Sequence, residues 1–188
     1  MSMDIVFHGR GGQGAVTAAE IMVKALSLEG KYGQSQAKYG VERRGAPVQA
    51  FLRVDDQPIC IRSRARSYDC VVVLDPKLYS IIDIGGGLRE GSISILNVRS
   101  SESKFDLNPK ISKKGSIDAI KISNELFGMR PIPITNTIML GALAAVTNIV
   151  KKESLITAIR EKFTGDLMKK NETAVALGYE RTKVETHG

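Results

Sequence analysis

The sequence of 188 residues contains two cysteines, two histidines and no tryptophan. Cys60 and Cys70 are too few for a disulfide framework or for the four thiolates of an iron–sulfur cluster. Any electron-transfer cluster is therefore expected in another chain. Because His8 and His187 are the only histidines, we do not expect a catalytic centre built on histidine. We interpret His8 as a structural residue at the end of a strand and His187 as part of the tail.

Long apolar runs are also missing, since no stretch approaches the roughly 18 residues needed to span a bilayer. The first residues, Met1 to Asp4, show no basic segment followed by an apolar signal core. These absences predict a cytoplasmic protein without a membrane partner. Because 43% of the residues are apolar and no internal repeat is present, we expect a single domain over residues 1–188.

Positive charge is concentrated in one part of the chain. The net charge is +7, and the segment from Lys38 to Arg66 holds seven basic and three acidic residues. The basic residues of this segment are Lys38, Arg43, Arg44, Arg53, Arg62, Arg64 and Arg66. No nucleic-acid-binding motif surrounds them, so we expect no nucleic-acid partner. A phosphorylated small ligand or an acidic protein partner fits this charge better.

A glycine-rich stretch organises the N-terminal part of the chain. An apolar run ends in Gly9, Gly11, Gly12 and Gly14, and an apolar pattern of helical spacing follows from Ala15. The glycines at 9, 11 and 14 fit the pattern G-x-G-x-x-G, in which a strand turns tightly into a helix. Free backbone N–H groups at the start of such a helix favour a phosphate or pyrophosphate. Ligand contact and a purely structural turn are both open from this motif alone.

The segment after the first helix argues against a nicotinamide dinucleotide site. Such a site needs an acidic residue for the ribose about 20 residues beyond the glycine loop. The segment Tyr32 to Ala37 ends in no such residue. A free-standing dinucleotide-binding oxidoreductase is therefore the weaker alternative.

Two adjacent arginines form a second candidate site. Arg43 and Arg44 lie between Gly40 and Gly45, and Pro47 follows, so this segment is predicted to be a loop. Paired guanidinium groups offer several donors to a phosphate or carboxylate. A solvated turn is the alternative that composition alone favours.

The remaining pattern predicts an α/β protein with three layers, in which helices cover both faces of a mostly parallel sheet. Continuous apolar runs at Ile5–Phe7 and Cys70–Leu74 are typical of strands that are buried on both faces. We also predict an attached antiparallel hairpin, with strands at 48–54 and 59–61. If its second strand continued, Arg62, Arg64 and Arg66 would share one face, either as an interface or as an exposed surface. Further segments are a strand at 92–98, helices at 15–29, 76–82, 116–127, 138–150, 154–163 and 166–182, and a frayed tail.

Five short motifs are spread along nearly the whole chain: Gly9–Gly14, Glu42–Val48, Val71–Pro76, Asn136–Ala142 and Lys170–Glu172. Taken together and in this order, they resemble the gamma subunit or gamma domain of thiamine-dependent 2-oxoacid:ferredoxin oxidoreductases of the pyruvate and branched-chain type. One departure is Val41, where many relatives carry proline.

The resemblance implies a subunit that assembles with alpha, beta and delta subunits. The complex would convert a 2-oxoacid, most simply pyruvate, and coenzyme A into acyl-CoA, CO2 and reduced ferredoxin. Thiamine diphosphate and the [4Fe-4S] clusters would lie in the partner subunits, and this chain would be inactive alone. A scaffold subunit without a ligand is the main rival interpretation.

The same resemblance implies that this chain contributes to binding coenzyme A. The loop that contains Gly9, Gly11, Gly12 and Gly14 would approach the phosphates. Arg43 and Arg44 match a basic pair that contacts coenzyme A in the family. Asn136 matches an asparagine at the same site, although Thr135 or Asn136 is also a candidate for a structural helix cap.

Overall fold

A computed structural model describes residues 2–38, 45–61, 63–98 and 109–186. These residues form one mixed sheet of seven strands in the order β2-β3-β1-β4-β5-β6-β7. The strands are β1 Met3–Arg10, β2 Tyr32–Lys38, β3 Pro47–Asp55, β4 Tyr68–Val73, β5 Leu88–Asn97, β6 Ile111–Ile117 and β7 Lys183–Thr186. The helices are α1 Ala15–Leu28, α2 Ala119–Phe127, α3 Asn136–Thr147, α4 Lys152–Lys162 and α5 Gly165–Arg181, and Pro76–Ser80 forms a short 3₁₀ helix.

The centre of the sheet is parallel and its edges are antiparallel. β1, β4, β5 and β6 run parallel to one another. β3 pairs antiparallel with β1, β2 pairs antiparallel with β3, and β7 pairs antiparallel with β6. The predicted α/β fold with a parallel centre is therefore confirmed. The two continuous apolar runs are the adjacent strands β1 and β4, whose side chains are buried on both faces.

An antiparallel pair is attached to this centre, but its members differ from the predicted hairpin. β3 lies between β1 and β2, so both of its edges are already occupied. Residues 59–61 therefore cannot pair with β3 as predicted; they form no strand, and Ile61 is exposed. The condition for a shared strand face is not met, because Arg64 and Arg66 lie in no strand; both are exposed, and Arg62 lies outside the described residues.

The end of the chain differs from the predicted frayed tail. Residues Lys183–Thr186 form the edge strand β7, which pairs with β6. His187 lies outside the described residues.

The two faces of the sheet carry unequal cores. All five α-helices contribute buried residues to one large core, among them Ala18, Ile122, Leu140, Leu155 and Val175. The smaller core on the other face includes Leu78 of the 3₁₀ helix and no residue of a described α-helix. We expected α-helices on both faces. The connection from β4 to β5 instead turns through three consecutive glycines, 85–87, after the 3₁₀ helix.

α3 is the central helix of the large core, and its small residues serve packing. Ten of its residues are buried. α5 packs directly on its backbone, because a Cβ atom at Gly141 would overlap the Val175 carbonyl and one at Gly178 would overlap the Ile138 carbonyl. The close contact fixes the position of α3, whose first residue belongs to the candidate site.

No helix among the described residues is long and apolar enough to cross a membrane.

Candidate functional site

The candidate site lies where the chain leaves β1 and β4 at the carboxyl edge of the parallel strands. After β1 the chain passes through α1 to β2 and β3 on one side of the sheet, whereas β4 adjoins β1 on the other side. Such a reversal of strand order opens a crevice beyond the carboxyl ends of the strands. The glycine loop and the residues after β4 meet at this crevice.

The glycine loop has a backbone that side chains rarely adopt. Gly12 has φ of 96° and Gly14 has φ of 77°, both in the left-handed region. Gly14 is the N-cap residue of α1 and supplies no side-chain cap. The first N–H groups of α1 therefore have no side-chain acceptor at the N-cap position and point towards the crevice end of the helix. This is the geometry that suits an anion.

Gly9 has a packing role in this arrangement. A Cβ atom at Gly9 would lie 3.3 Å from the Ala15 Cβ, so the absence of a side chain lets β1 and α1 approach closely. Gly11, Gly12 and Gly14 are the glycines that form the loop itself.

The structure brings Asn136 to the glycine loop. Asn136 is the first residue of α3, is 6% exposed, and places its Nδ2 3.5 Å from the Gly14 carbonyl oxygen. A Cβ atom at Gly14 would lie only 2.5 Å from that Nδ2, so a larger residue would displace the asparagine. The Asn136 Oδ1 is buried without a hydrogen-bond partner. An acceptor in this state suits an N–H or O–H group of a ligand.

Thr135 holds the start of α3 in place without capping it. Thr135 is the N-cap residue, but its side chain makes no cap hydrogen bond. Its Oγ1 instead donates to the Leu74 carbonyl oxygen at 3.1 Å, which ties α3 to the carboxyl end of β4.

A buried polar network braces the loop from below. Gln13 is 1% exposed, and its Oε1 accepts a hydrogen bond of 2.8 Å from the Arg10 backbone N–H. Its Nε2 donates to the Asp75 Oδ2 at 2.8 Å. The Asp75 Oδ1 accepts from the Lys77 backbone N–H at 2.9 Å, and the Arg10 guanidinium lies 3.9 Å from Asp75 Oδ2. Sequence reasoning missed Gln13 and Asp75 as site residues, although Asp75 lies just beyond the end of the buried strand β4.

The residues after the arginine pair are bonded to the glycine loop. Gly11 donates its N–H to the Ala46 carbonyl at 2.8 Å, and Gly45 donates to the Gly11 carbonyl at 3.1 Å. The Arg10 Nε also donates to the Gly45 carbonyl at 2.7 Å. Arg43 and Arg44 themselves lie outside the described residues, so their role stays a prediction.

A cleft of about 420 Å³ opens beside the loop. Its charged lining comes from Arg10, Asp75, Lys77 and Arg130, and an apolar wall comes from the segment after α2. Ile132 of this wall lies against the glycine loop, because a Cβ atom at Gly12 would be 3.6 Å from the Ile132 Cδ1. The cleft and the loop therefore form one continuous surface.

His8 is the only histidine among the described residues, and it is neutral at physiological pH. Burial lowers its pKa to about 4, against a smaller opposing effect of Asp83, and its Nδ1 has no hydrogen-bond partner. No group of three His, Cys, Asp or Glu residues within the described ranges is arranged to hold a metal ion. The glycines, the helix N-terminus and the cations suit an anionic group of a ligand, and the Asn136 Oδ1 suits a donor group of the same ligand.

Comparison with known proteins places the chain among related sequences. A sequence model of the pyruvate ferredoxin/flavodoxin oxidoreductase family matches residues 4–181. The common gamma subunit of the pyruvate/ketoisovalerate oxidoreductases of Thermococcus litoralis is 48% identical over 184 residues, which cover 97% of this chain and 98% of the relative. Pyruvate synthase subunit PorC of Methanothermobacter marburgensis is 46% identical, with 96% and 98% covered. The crystal structure of pyruvate oxidoreductase subunit PORC from Thermotoga maritima matches with a TM-score of 0.80 and 33% identity, over 97% of this chain and 98% of that chain.

Proposed function

Because this chain belongs to the pyruvate ferredoxin/flavodoxin oxidoreductase family and is related to its gamma subunits throughout its length, we propose that it is the gamma subunit of a complex that oxidises a 2-oxoacid with coenzyme A. Pyruvate is the proposed substrate, because the related sequences and the related crystal structure all belong to enzymes whose names include pyruvate. The complex acts in the cytoplasm and passes its electrons to ferredoxin. Alpha, beta and delta subunits are the proposed partners.

Within this complex, the proposed task of the chain is to bind coenzyme A. Thiamine diphosphate and [4Fe-4S] clusters, held by the partner subunits, supply decarboxylation and electron transfer. The observation that carries the proposal is the meeting of Gly14 and Asn136 at the start of α1. There, an uncapped helix N-terminus lies beside a buried acceptor without a partner.

The residues of the site fit the chemistry of coenzyme A. Its pyrophosphate suits the N–H groups at the start of α1, where the helix dipole favours negative charge. Its pantetheine arm carries amide N–H and hydroxyl groups, which suit the orphan Oδ1 of Asn136. Gly11 and Gly12 let the ligand approach the backbone without a side chain in the way.

Arg43 and Arg44 complete the proposed phosphate contacts. The residues that follow them in the sequence, Gly45 and Ala46, are hydrogen-bonded to Gly11. This linkage supports a shared role for the glycine loop and the basic pair. The chain's part in the reaction is to hold and orient the thiol substrate, and we propose that it has no oxidoreductase activity alone.

The experiment uses the intact complex with the double variant Arg43→Ala/Arg44→Ala. Losing one charge-assisted contact weakens binding by about 1.5–3 kcal/mol, which is on the order of tenfold to a hundredfold. The KM for coenzyme A should therefore rise by at least about tenfold, whereas the KM for the 2-oxoacid should not change. The matched control is Arg64→Ala/Arg66→Ala, which removes two exposed arginines of the connection between β3 and β4, before the amino end of β4.

Co-purification of all subunits must be shown first, because an arginine can also dock a partner. An intact complex with unchanged dependence on coenzyme A would contradict the proposal and favour the scaffold interpretation. The dinucleotide alternative is tested by calorimetric titration of the lone chain with NADH, where clear binding would favour it.

A further inference from the structure

Two basic side chains of the cleft beside the glycine loop form no salt bridge with a carboxylate of the described residues. We infer that Lys77 and Arg130 bind the 3′-phosphate of coenzyme A and so let the complex distinguish coenzyme A from its 3′-dephospho form. This inference rests on the proposed function, since it assigns a second part of the same ligand to a neighbouring surface.

The charged residues of the cleft show which cations are not paired with a carboxylate and are available to bind a phosphate. Among the described residues that line the cleft, Asp75 is the only acidic one. Both of its oxygens already accept hydrogen bonds, from Gln13 and from the Lys77 backbone. Its remaining electrostatic partner is Arg10, at 3.9 Å. The ammonium of Lys77 and the guanidinium of Arg130 have no salt bridge to any described carboxylate.

These two positive charges match one phosphate monoester, which carries about −1.5 to −2 charges near pH 7. Both side chains are exposed, so they can reach a ligand without a change of the backbone. The Arg130 Nε donates to the Phe127 carbonyl at 3.3 Å, which anchors the guanidinium and leaves its terminal nitrogens for a phosphate.

The shape of the cleft suits the nucleoside that bears this phosphate. Its volume of about 420 Å³ is within the range of small-molecule sites. Met129, Ile132 and the prolines 131 and 133 form an apolar wall on which an adenine ring can lie, and Asn124 adds an amide to the lining. Met129 is 90% exposed, although a side chain of this kind is normally buried, and contact with a ring would cover it.

The cleft is also placed correctly with respect to the rest of coenzyme A. Ile132 lies against Gly12, so the wall of the cleft begins where the glycine loop ends. One extended ligand can therefore place its pyrophosphate at the start of α1 and its 3′-phosphate between Lys77 and Arg130. The glycine loop would bind the pyrophosphate, which coenzyme A shares with many nucleotides. The cleft would bind the 3′-phosphate, which distinguishes coenzyme A from them.

The kinetic experiment compares coenzyme A with 3′-dephospho-coenzyme A in the intact complex. The wild-type complex should prefer coenzyme A by about tenfold to a hundredfold in kcat/KM, the effect of losing charge-assisted contacts. Lys77→Met/Arg130→Met removes both charges but keeps apolar side chains of similar length. This variant should lose the preference by a rise in the KM for coenzyme A alone, with the KM for the dephospho form unchanged.

A binding experiment provides a readout that does not depend on turnover. Adenosine 3′,5′-bisphosphate and adenosine 5′-phosphate are titrated calorimetrically into the same complexes. The wild-type complex should bind the bisphosphate about tenfold to a hundredfold more tightly than adenosine 5′-phosphate. The variant complex should bind both probes with equal affinity. The control variant Arg66→Met/Lys169→Met removes two exposed cations outside the cleft lining and should retain the wild-type difference.

The outcomes separate this inference from the proposed function. If the variant keeps the preference for coenzyme A, or weakens both forms equally, the assignment of the 3′-phosphate is wrong. A wild-type complex that does not discriminate between the two forms would also overturn it. In each of these cases, a dependence of the KM for coenzyme A on Arg43 and Arg44 would leave the proposed function standing.

Discussion

At the contact between α3 and α5, two physical effects predict opposite changes in the free energy of unfolding for the same substitution. Ala is favoured over Gly by about 0.8–1.0 kcal/mol inside a helix, so propensity alone predicts that Gly178→Ala stabilises the protein. In the structure, however, a Cβ atom at Gly178 would overlap the Ile138 carbonyl oxygen and lie 2.9 Å from the Ile138 carbonyl carbon. These are backbone atoms of a buried helix, so they cannot rotate away.

The steric effect should prevail because it needs a movement of one helix against the other. Overpacking of a well-packed core costs typically about 1–3 kcal/mol, and a clash with backbone belongs at the upper end of this range. After subtraction of the gain in propensity, we expect a net loss of about 2 kcal/mol in the free energy of unfolding. For a chain of this size that corresponds to a fall in Tm of about 4–8 °C.

Thermal and urea unfolding of the purified chain, followed by circular dichroism, measure this effect. Thr173→Ala is the matched control, because Thr173 is exposed on the same helix and should change stability by no more than about 0.5 kcal/mol. A Gly178→Ala protein that is as stable as the wild type, or more stable, would show that α5 does not lie directly on the α3 backbone.

Two further predictions concern the buried polar groups near the loop. Burial lowers the pKa of His8 to about 4, so between about pH 6.5 and pH 4 the unfolded chain binds a proton that the folded chain does not. The free energy of unfolding should therefore fall as the pH decreases through this window, by at most about 3 kcal/mol. Urea unfolding at pH 7 and pH 4.5 should show a smaller loss for His8→Gln than for the wild type, and equal losses would refute this. Gln13→Leu leaves the Arg10 N–H and the Asp75 carboxylate each without one partner, and should destabilise the chain by about 2–4 kcal/mol. The exposed Gln57→Leu serves as its control in the same urea experiment, and an equal midpoint for the two variants would contradict the bracing role.

The sequence predicts those parts of the fold in which local pattern and tertiary environment agree. β1, the glycine loop and α1 follow from the apolar run, the glycines and the helical spacing. β4 follows in the same way from its continuous apolar residues. The polar segment of β2 lacks such a pattern, because an edge strand needs little apolar surface. Gly33 has a packing reason that only the structure reveals, since a Cβ atom there would lie 3.1 Å from the Val23 Cα of α1.

The failed predictions depend on which edges of the sheet are free, and this is not a local property. Residues 59–61 have strand-forming side chains, but the edge of β3 that they would need is taken by β2. Residues 183–186 pair with the free edge of β6 instead.

The candidate site divides in a similar way. The glycine loop and Asn136 were predicted, and the structure brings them together. Lys77 and Arg130 were not predicted, because they come from two connections that meet only when the sheet has formed. The short segment that follows a buried parallel strand is a usable signal, because Asp75 and Lys77 both lie in the few residues after the end of β4.

The claim that the glycine loop binds coenzyme A is tested most directly by hydrogen exchange of the assembled complex with and without this ligand. Coenzyme A should slow amide exchange in peptides that cover residues 11–17 and 129–137, where the start of α1, the cleft wall and Asn136 lie. Peptides at the amino end of β4, such as those covering 63–68, should be unaffected. Unchanged amide exchange of residues 11–17 at saturating coenzyme A would contradict the claim that the glycine loop binds this ligand.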